Sequence, residues 1–254
     1  MKIGVIGLGK LGLPLAALFS QYHKVIGVDY STERVTQIKQ QVSFFEPNLN
    51  EYLKSGELEV STSYNTLADC DPVFIIVQTP SRLNGLFNTT YVETALTRLH
   101  EINPNCLAVI SSTVNIGTIQ KLKNIHSRLV YNPEFIKQGS IITDFENPRF
   151  VLIGADDDEA YTKISHIWSR IHRKPKIRTT SKEAEAIKLI LNFSYTLGIT
   201  FANTIGEICE KHDLDSDKVL GTVYRDQRNY MPGLGYGGPC FPRDVACLKE
   251  QCRQ

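Results

Sequence analysis

Lys2-Ile3-Gly4-Val5-Ile6-Gly7-Leu8-Gly9-Lys10-Leu11-Gly12 opens the chain and decides its fold. The first five residues form a short β-branched run that reads as a strand. A G-x-G-x-x-G spacing follows at Gly7, Gly9 and Gly12, and 13–20 reads as an apolar helix. Strand, glycine spacing and helix together are the context in which this motif binds a dinucleotide. Gly7 allows the tight turn, Gly9 lets a pyrophosphate approach the backbone, and Gly12 lets helix and strand pack closely. Leu8, Lys10 and Leu11 belong to the same cradle. The helix N-terminus offers its orphan N–H groups and the positive end of its dipole to the phosphates. A second strand over Lys24–Val28 ends in Asp29, seventeen positions after Gly12. That is close to the roughly twenty expected of a ribose-binding acid. An aspartate there accepts from the 2′-hydroxyl and repels a 2′-phosphate, which predicts NAD rather than NADP. Arg34, about one helical turn on, reaches toward the adenosine side.

Strand–helix alternation continues through four more apolar runs: Val73-Phe74-Ile75-Ile76-Val77, Leu107-Ala108-Val109-Ile110, Leu129-Val130-Tyr131 and Phe150-Val151-Leu152-Ile153-Gly154. Continuous runs of this kind suit parallel strands buried on both faces. Ligands of open α/β sheets sit at the carboxyl ends of strands. Thr79, Thr113, Asn132 and Glu134 fall at such ends and predict a lined site. Taken singly, each also reads as a helix cap or loop residue. An amphipathic helix over 161–173 leads to a short strand at 176–178. The basic residues from Arg170 to Arg178 read as helix-end cations and a solvated face rather than a nucleic-acid surface.

At Ser181 the alternation stops. Ser181 reads as a helix cap with Glu183 in the first turn, and a helical pattern runs to about His212. It is apolar almost all round, which predicts a helix buried on several sides and packed on a second subunit. Lys188 and Asn192 share one face at i and i+4, where both can donate to a developing oxyanion. The expected fold class is α/β: a Rossmann-type, mostly parallel sheet over 1–180, followed by an all-α central (dimerisation) domain over 181–254. A shorter helix and a loop over 215–230 lead to Gly233-Leu234-Gly235-Tyr236-Gly237-Gly238-Pro239-Cys240-Phe241-Pro242-Arg243-Asp244. Cys240 has two readings, a small buried hydrophobe or a nucleophile held by a stiffened turn. Pro242 suits a first helical position, which places the thiol near a helix N-terminus and favours the thiolate.

Composition narrows the function classes. The 254 residues carry a net charge of +1, with 42% hydrophobic and 22% charged residues. Such a balance predicts neither a nucleic-acid nor a membrane partner. Six cysteines without a C-x-x-C pair argue against a zinc site and suit a reducing cytoplasm. The chain starts directly on a strand-like run, so no signal peptide is expected.

Taken together, the motifs resemble the UDP-glucose/GDP-mannose dehydrogenase family. The matching stretches are Gly7 to Pro14, Gln78-Thr79-Pro80, Ser112 to Thr118, Asn132 to Ser140, Lys188 with Asn192, and Gly233 to Asp244, in the family's order. The resemblance implies an NAD-dependent homodimer that oxidises the C6 alcohol of UDP-glucose or a related nucleotide sugar twice. Cys240 would capture the aldehyde. Lys188 and Asn192 would stabilise the oxyanions, and Asp244 would activate the thiol or a water. Glu134 and Thr113 would handle the hydrolytic water, with Thr79, Thr113 and Gln138 touching the cofactor. Phe135, Ile136, Lys137, Gly233, Tyr236, Gly237 and Arg243 would lie along the sugar nucleotide, beside Glu134, Lys188 and Asn192. Three departures stand out. Gln138 replaces a second acid, Arg243 replaces a lysine, and the family's further α/β domain has no counterpart after Asp244. The chain then reads as a fragment or as half of a split enzyme, with weakened UDP-sugar binding. Two alternatives remain. One is a β-hydroxyacid or 6-phosphogluconate-type dehydrogenase, which needs no cysteine. The other is an NAD-binding and dimerisation module that is inactive without its substrate domain.

Overall fold

A computed structural model describes residues 1–40, 42, 44, 46–137, 139–224 and 235–252. The chain divides into two compact units, Met1–Pro80 with Phe87–Ala186, and Ser81–Leu86 with Ile187–Gln254.

Among its described residues the first unit holds eight strands: β1 (Lys2–Ile6), β2 (Lys24–Val28), β3 (Leu58–Ser61), β4 (Val73–Ile75), β5 (Ala108–Ile110), β6 (Leu129–Tyr131), β7 (Val151–Gly154) and β8 (Lys176–Thr179). They form one sheet in the order β3-β2-β1-β4-β5-β6-β7-β8. Neighbours run parallel except β6 and β7, which pair antiparallel through Tyr131 and Gly154. The sequence order reverses between β1 and β4, which opens a crevice at the strand ends there. The helices are α1 (Gly12–Phe19), α2 (Thr32–Lys39), α3 (Leu49–Ser55), α4 (Thr90–Ile102), α5 (Thr118–Leu122), α6 (Ile141–Glu146) and α7 (Asp158–Ile171). All eight residues of α1 are buried, which explains why its sequence has no polar face. Phe19 at its end meets the Phe74 ring at 5.0 Å and Trp168 at 5.4 Å. By contrast α7 buries Ala160, Ile164, Ile167 and Trp168 along one stripe, the pattern of a helix lying on a sheet.

Asn132, expected to line a ligand site, is instead turned into the core. It is 3% exposed. Its amide donates to the Leu152 carbonyl at 2.8 Å and accepts from the Trp168 indole N–H at 2.9 Å. One side chain thus ties the end of β6 to β7 and α7. The cap of the next helix also differs from expectation. That helix, α8 (Ser181–Lys211), spans 31 residues. The Thr180 hydroxyl accepts from Glu183 N–H at 3.2 Å, and the Glu183 carboxylate accepts from Thr180 N–H at 2.9 Å. This reciprocal pair is a capping box with Thr180, not Ser181, as the cap. The Ser181 hydroxyl donates to the Gly154 carbonyl at 3.1 Å.

The second unit is built from α8 after residue 186, α9 (Ser216–Val223), α10 (Phe241–Gln251) and the loop Ser81–Leu86. Asp215 caps α9 by accepting from Asp217 and Lys218 N–H. Leu189, Ala202, Cys209, Leu220 and Cys247 supply its buried apolar side. Gly85 lies close to α10, where a Cβ would come within 2.9 Å of the Ala246 carbonyl oxygen. Along α8, Ile190, Leu197, Phe201 and Ile208 are 52%, 55%, 45% and 46% exposed. The near-uniform apolarity of this helix therefore covers one buried face and one outward stripe. Among the described residues no helix is long and apolar enough to cross a membrane.

The Asn132 brace makes a clear prediction. Asn132→Leu keeps the volume but strands the Leu152 carbonyl and the Trp168 N–H. Urea unfolding should show a loss of about 2–4 kcal/mol, the range for two buried groups left without partners. A midpoint equal to wild type would contradict the assignment.

Candidate active site

In the first unit the site begins at the β1–α1 turn. Gly7 has φ +94°, and any Cβ there would collide with the Ile76 carbonyl. A Cβ on Gly12 would run into the Gly7 carbonyl, whereas one on Gly9 would meet nothing within 4 Å. Two glycines thus close the turn and the third leaves it open on its outer side. The amino end of α1 has no side-chain cap from Leu11 and no acid in its first turn, so nothing there competes with an anion. Asp29 is 8% exposed and stands at the end of β2. Its carboxylate accepts from Leu8 N–H at 2.7 Å and from Ser31 N–H at 2.9 Å. A carboxylate has about four lone-pair sites, so capacity remains for a ribose diol. Arg34 donates from Nε to the Leu8 carbonyl at 2.7 Å, and its guanidinium lies 4.6 Å from the Phe44 ring centre. Burial lowers its pKa, against the pull of Asp29. The open glycine, the uncapped helix end and the fixed acid together fit a dinucleotide.

Thr79 is buried at the end of the segment after β4. Thr113 is half-buried in a loop that its neighbours hold firmly. The Ser112 hydroxyl accepts from Val77 N–H at 2.9 Å and donates to the Val77 carbonyl at 2.8 Å. Asn115 accepts from Phe87 N–H and donates to its carbonyl, both at 2.9 Å. The third hold is Glu185, which the sequence reading passed over. It is fully buried, and its two carboxylate oxygens accept from Gly117 N–H at 2.5 Å and Ile119 N–H at 2.7 Å. Burial pushes its pKa up to about 7, against backbone N–H bonds from Ile119, Gly117 and Thr118 that pull it down. The available signal was an acid inside an apolar helix, one turn before Lys188.

After β6, Glu134, Phe135 and Ile136 are half-buried and Lys137 is exposed. The Phe135 ring packs on Phe150 at 5.3 Å, and Lys137 N–H donates to Asp144 at 2.7 Å. Gln138 lies outside the described residues, as does Gly233.

In the second unit the chain brings Asn192, Cys240, Arg243 and Asp244 together. The Asn192 amide donates to Asp244 Oδ2 at 2.6 Å, with the two residues 9% and 1% exposed. Arg243 Nε lies 3.4 Å from Asp244 Oδ1. Asp244 N–H bonds the Cys240 carbonyl at 2.9 Å and closes the first turn of α10. Cys240 is the N-cap of that helix and is exposed. This excludes the core-hydrophobe reading of Cys240. Phe241 packs on Tyr195 from α8, with ring centres 6.3 Å apart. Lys188 is half-buried one turn before Asn192, and Tyr236 and Gly237 are exposed.

Comparison with known proteins shows the family of the chain. Residues 1–172 match the model of the UDP-glucose/GDP-mannose dehydrogenase family, NAD binding domain, and residues 182–254 match that family's central domain. The chain is 30% identical to a UDP-glucose 6-dehydrogenase of Haloferax volcanii over all of its own length and 66% of the relative's. It is 31% identical to a GDP-mannose 6-dehydrogenase of Pseudomonas aeruginosa, again over its whole length and 65% of the relative's. It therefore spans just under two thirds of these relatives. The solved UDP-glucose dehydrogenase of Pyrobaculum islandicum superposes with a TM-score of 0.90 at 29% identity, covering 99% of this chain and 64% of that one. By its glycine turn, its cysteine-capped helix and these matches along both units, the chain belongs to the UDP-glucose/GDP-mannose dehydrogenase family, and its first unit carries that family's NAD-binding domain.

Proposed function

We propose that the protein acts in NAD-dependent oxidation of a nucleotide sugar, UDP-glucose or a close relative, from the C6 alcohol to the uronic acid. The observation that carries this reading is the buried Asn192–Asp244 hydrogen bond beneath an exposed, helix-capping Cys240. A buried carboxylate is costly unless it is bonded. Its place one turn inside the helix that Cys240 opens suits a group that serves the thiol or a water beside it. We assign residues 1–180 to the cofactor domain and 181–254 to the helical central domain.

NAD, when bound, accepts the hydride at each oxidation. The residues supply the rest. The alcohol gives its O–H proton to solvent and loses a C6 hydride, which leaves an aldehyde. The Cys240 thiolate adds to the carbonyl carbon, forming the C–S bond of a thiohemiacetal, and the oxygen takes up negative charge. Lys188 and the second N–H of the Asn192 amide donate to that oxygen. Loss of a second hydride leaves a thioester. Water, oriented by Thr113 and deprotonated by Glu134, adds to it and expels the thiolate, and the acid so formed gives its proton to solvent to leave the carboxylate. Covalent capture divides a difficult reaction and keeps the aldehyde from leaving. Thr79 and Gln138 are assigned to the cofactor. Phe135, Ile136, Lys137, Gly233, Tyr236, Gly237 and Arg243 are assigned to the sugar nucleotide. A cytoplasmic location suits six cysteines that form no disulfide with one another.

A second reading rests on the glycine turn of the first unit and the outward apolar stripe of α8: a module that binds NAD and dimerises but does not turn over. The assay that separates the two is NADH formed per UDP-glucose. The proposed reaction gives two, and Cys240→Ala and Cys240→Ser each stall after at most one. NAD binding without NADH formation would support the module.

The outward stripe of α8 supports a homodimer. Ile190, Leu197, Phe201 and Ile208 recur at spacings of seven, four and seven, a coiled-coil-like seam. Leu197→Glu with Phe201→Glu should convert a dimer to a monomer in light scattering. A mass unchanged by the double substitution would place the interface elsewhere.

A further inference from the structure

Glu185 is a buried carboxylate without a cationic partner in hydrogen-bond contact among the described residues. Both its oxygens point at the amino end of α5, where Gly117 sits at φ +87° and no local side chain caps the helix. A residue more than sixty positions away therefore does the work of a cap. With the Ser112–Val77 and Asn115–Phe87 bonds, it fixes the loop 111–119 at three points. Thr113 lies between the first two.

We propose that Glu185 is a positioning residue, which holds the loop 111–119, and with it Thr113, in the shape that the cofactor meets. Its chemistry is specific to a carboxylate. Each oxygen accepts from a backbone N–H, so an amide at this position turns an NH2 against one of those donors. A carboxyl group does the same on protonation, since its O–H can no longer accept. Charged groups stand on the surrounding elements, among them Lys188, half-buried one turn further along α8. On α8, Lys182 weakly favours its ionised form, and Glu183 is engaged with Thr180. On α5, Lys121 is exposed and Lys123 is bound to Asp156, the acid after β7, at 2.6 Å. Burial holds the pKa near 7, so the hold loosens as the pH falls through neutrality. Global stability responds with the opposite sign. A folded pKa above the unfolded one contributes stability that is complete below the unfolded value and lost as pH rises through about 7. A weaker hold in mild acid is thus not the onset of unfolding.

The effect on cofactor affinity rests on the reading of the first unit as an NAD site; the effect on the loop does not. Two measurements on the full chain keep these apart. Hydrogen–deuterium exchange of wild type and Glu185→Gln at pH 8 should show the amides of 117, 118 and 119 exchanging at least about tenfold faster in the variant, the range for loss of one charge-assisted bond. Calorimetric titration with NAD⁺ should show affinity about tenfold weaker in Glu185→Gln, by the same range. In wild type the affinity should fall as pH drops from 8 to 6, and in the variant it should be flat. Unchanged exchange in the variant overturns the proposal, as does faster exchange with unchanged NAD⁺ affinity. If Glu185→Gln does not fold, the wild-type exchange profile from pH 8 to 6 decides: protection at 117–119 that does not fall with pH, after correction for intrinsic rates, overturns it. Absence of NAD⁺ binding to wild type contradicts the dinucleotide reading, and exchange then still reports on the hold.

Discussion

The first unit depends on a steric constraint: the space that Gly7 and Gly12 leave empty. At both positions a Cβ would occupy the place of a carbonyl, that of Ile76 in one case and of Gly7 itself in the other. Because neither residue has one, α1 enters directly off β1 and sinks until all eight of its residues are buried. Phe19 can then reach Phe74 and Trp168, which joins the β1–β4 region to α7. The same packing leaves Gly9 facing open space and the helix end uncapped. Core packing and anion site are thus two consequences of one backbone approach.

Three buried polar groups set the finer geometry of the two units. Asn132 serves Leu152 and Trp168, Glu185 serves the α5 amino end, and Asp244 is held by Asn192. Asp244 also has Arg243 Nε at 3.4 Å, whereas Glu185 is held by backbone N–H donors, and a buried anion so held specifies orientation because misplacing it leaves several donors unpaired. In the second unit this logic fixes Asp244 one turn below an exposed thiol. The thiol is left accessible while the carboxylate below it is held by Asn192.

Much of this was legible in the sequence because it rests on local rules. The glycine spacing with its flanking strand and helix, Asp29 at its distance, the apolar runs of β4 to β7 and the length of α8 are all local patterns. Pro242 correctly placed the start of α10 beside Cys240. What was not legible depends on contacts between distant residues. Ser181 looked like the better cap, but its hydroxyl is drawn to the Gly154 carbonyl, and Thr180 pairs with Glu183 instead. Asn132 sits where ligand-binding residues sit, yet Trp168, thirty-six positions on, offers an indole N–H that turns it inward. Glu185 resembled an ordinary helix acid until its partners at 117–119 were seen. The four-residue edge strand β3 and the short helices α5 and α6 are below the length at which periodicity speaks.

The central claim is that the glycine turn and Asp29 form an NAD site. Calorimetric titration of the purified chain with NAD⁺ and with NADP⁺, for wild type and Asp29→Ala, tests it most directly. The account predicts one NAD⁺ per chain, markedly weaker binding of NADP⁺, and loss of that preference in Asp29→Ala. Failure of wild type to bind NAD⁺, or equal affinity for both dinucleotides, would contradict it.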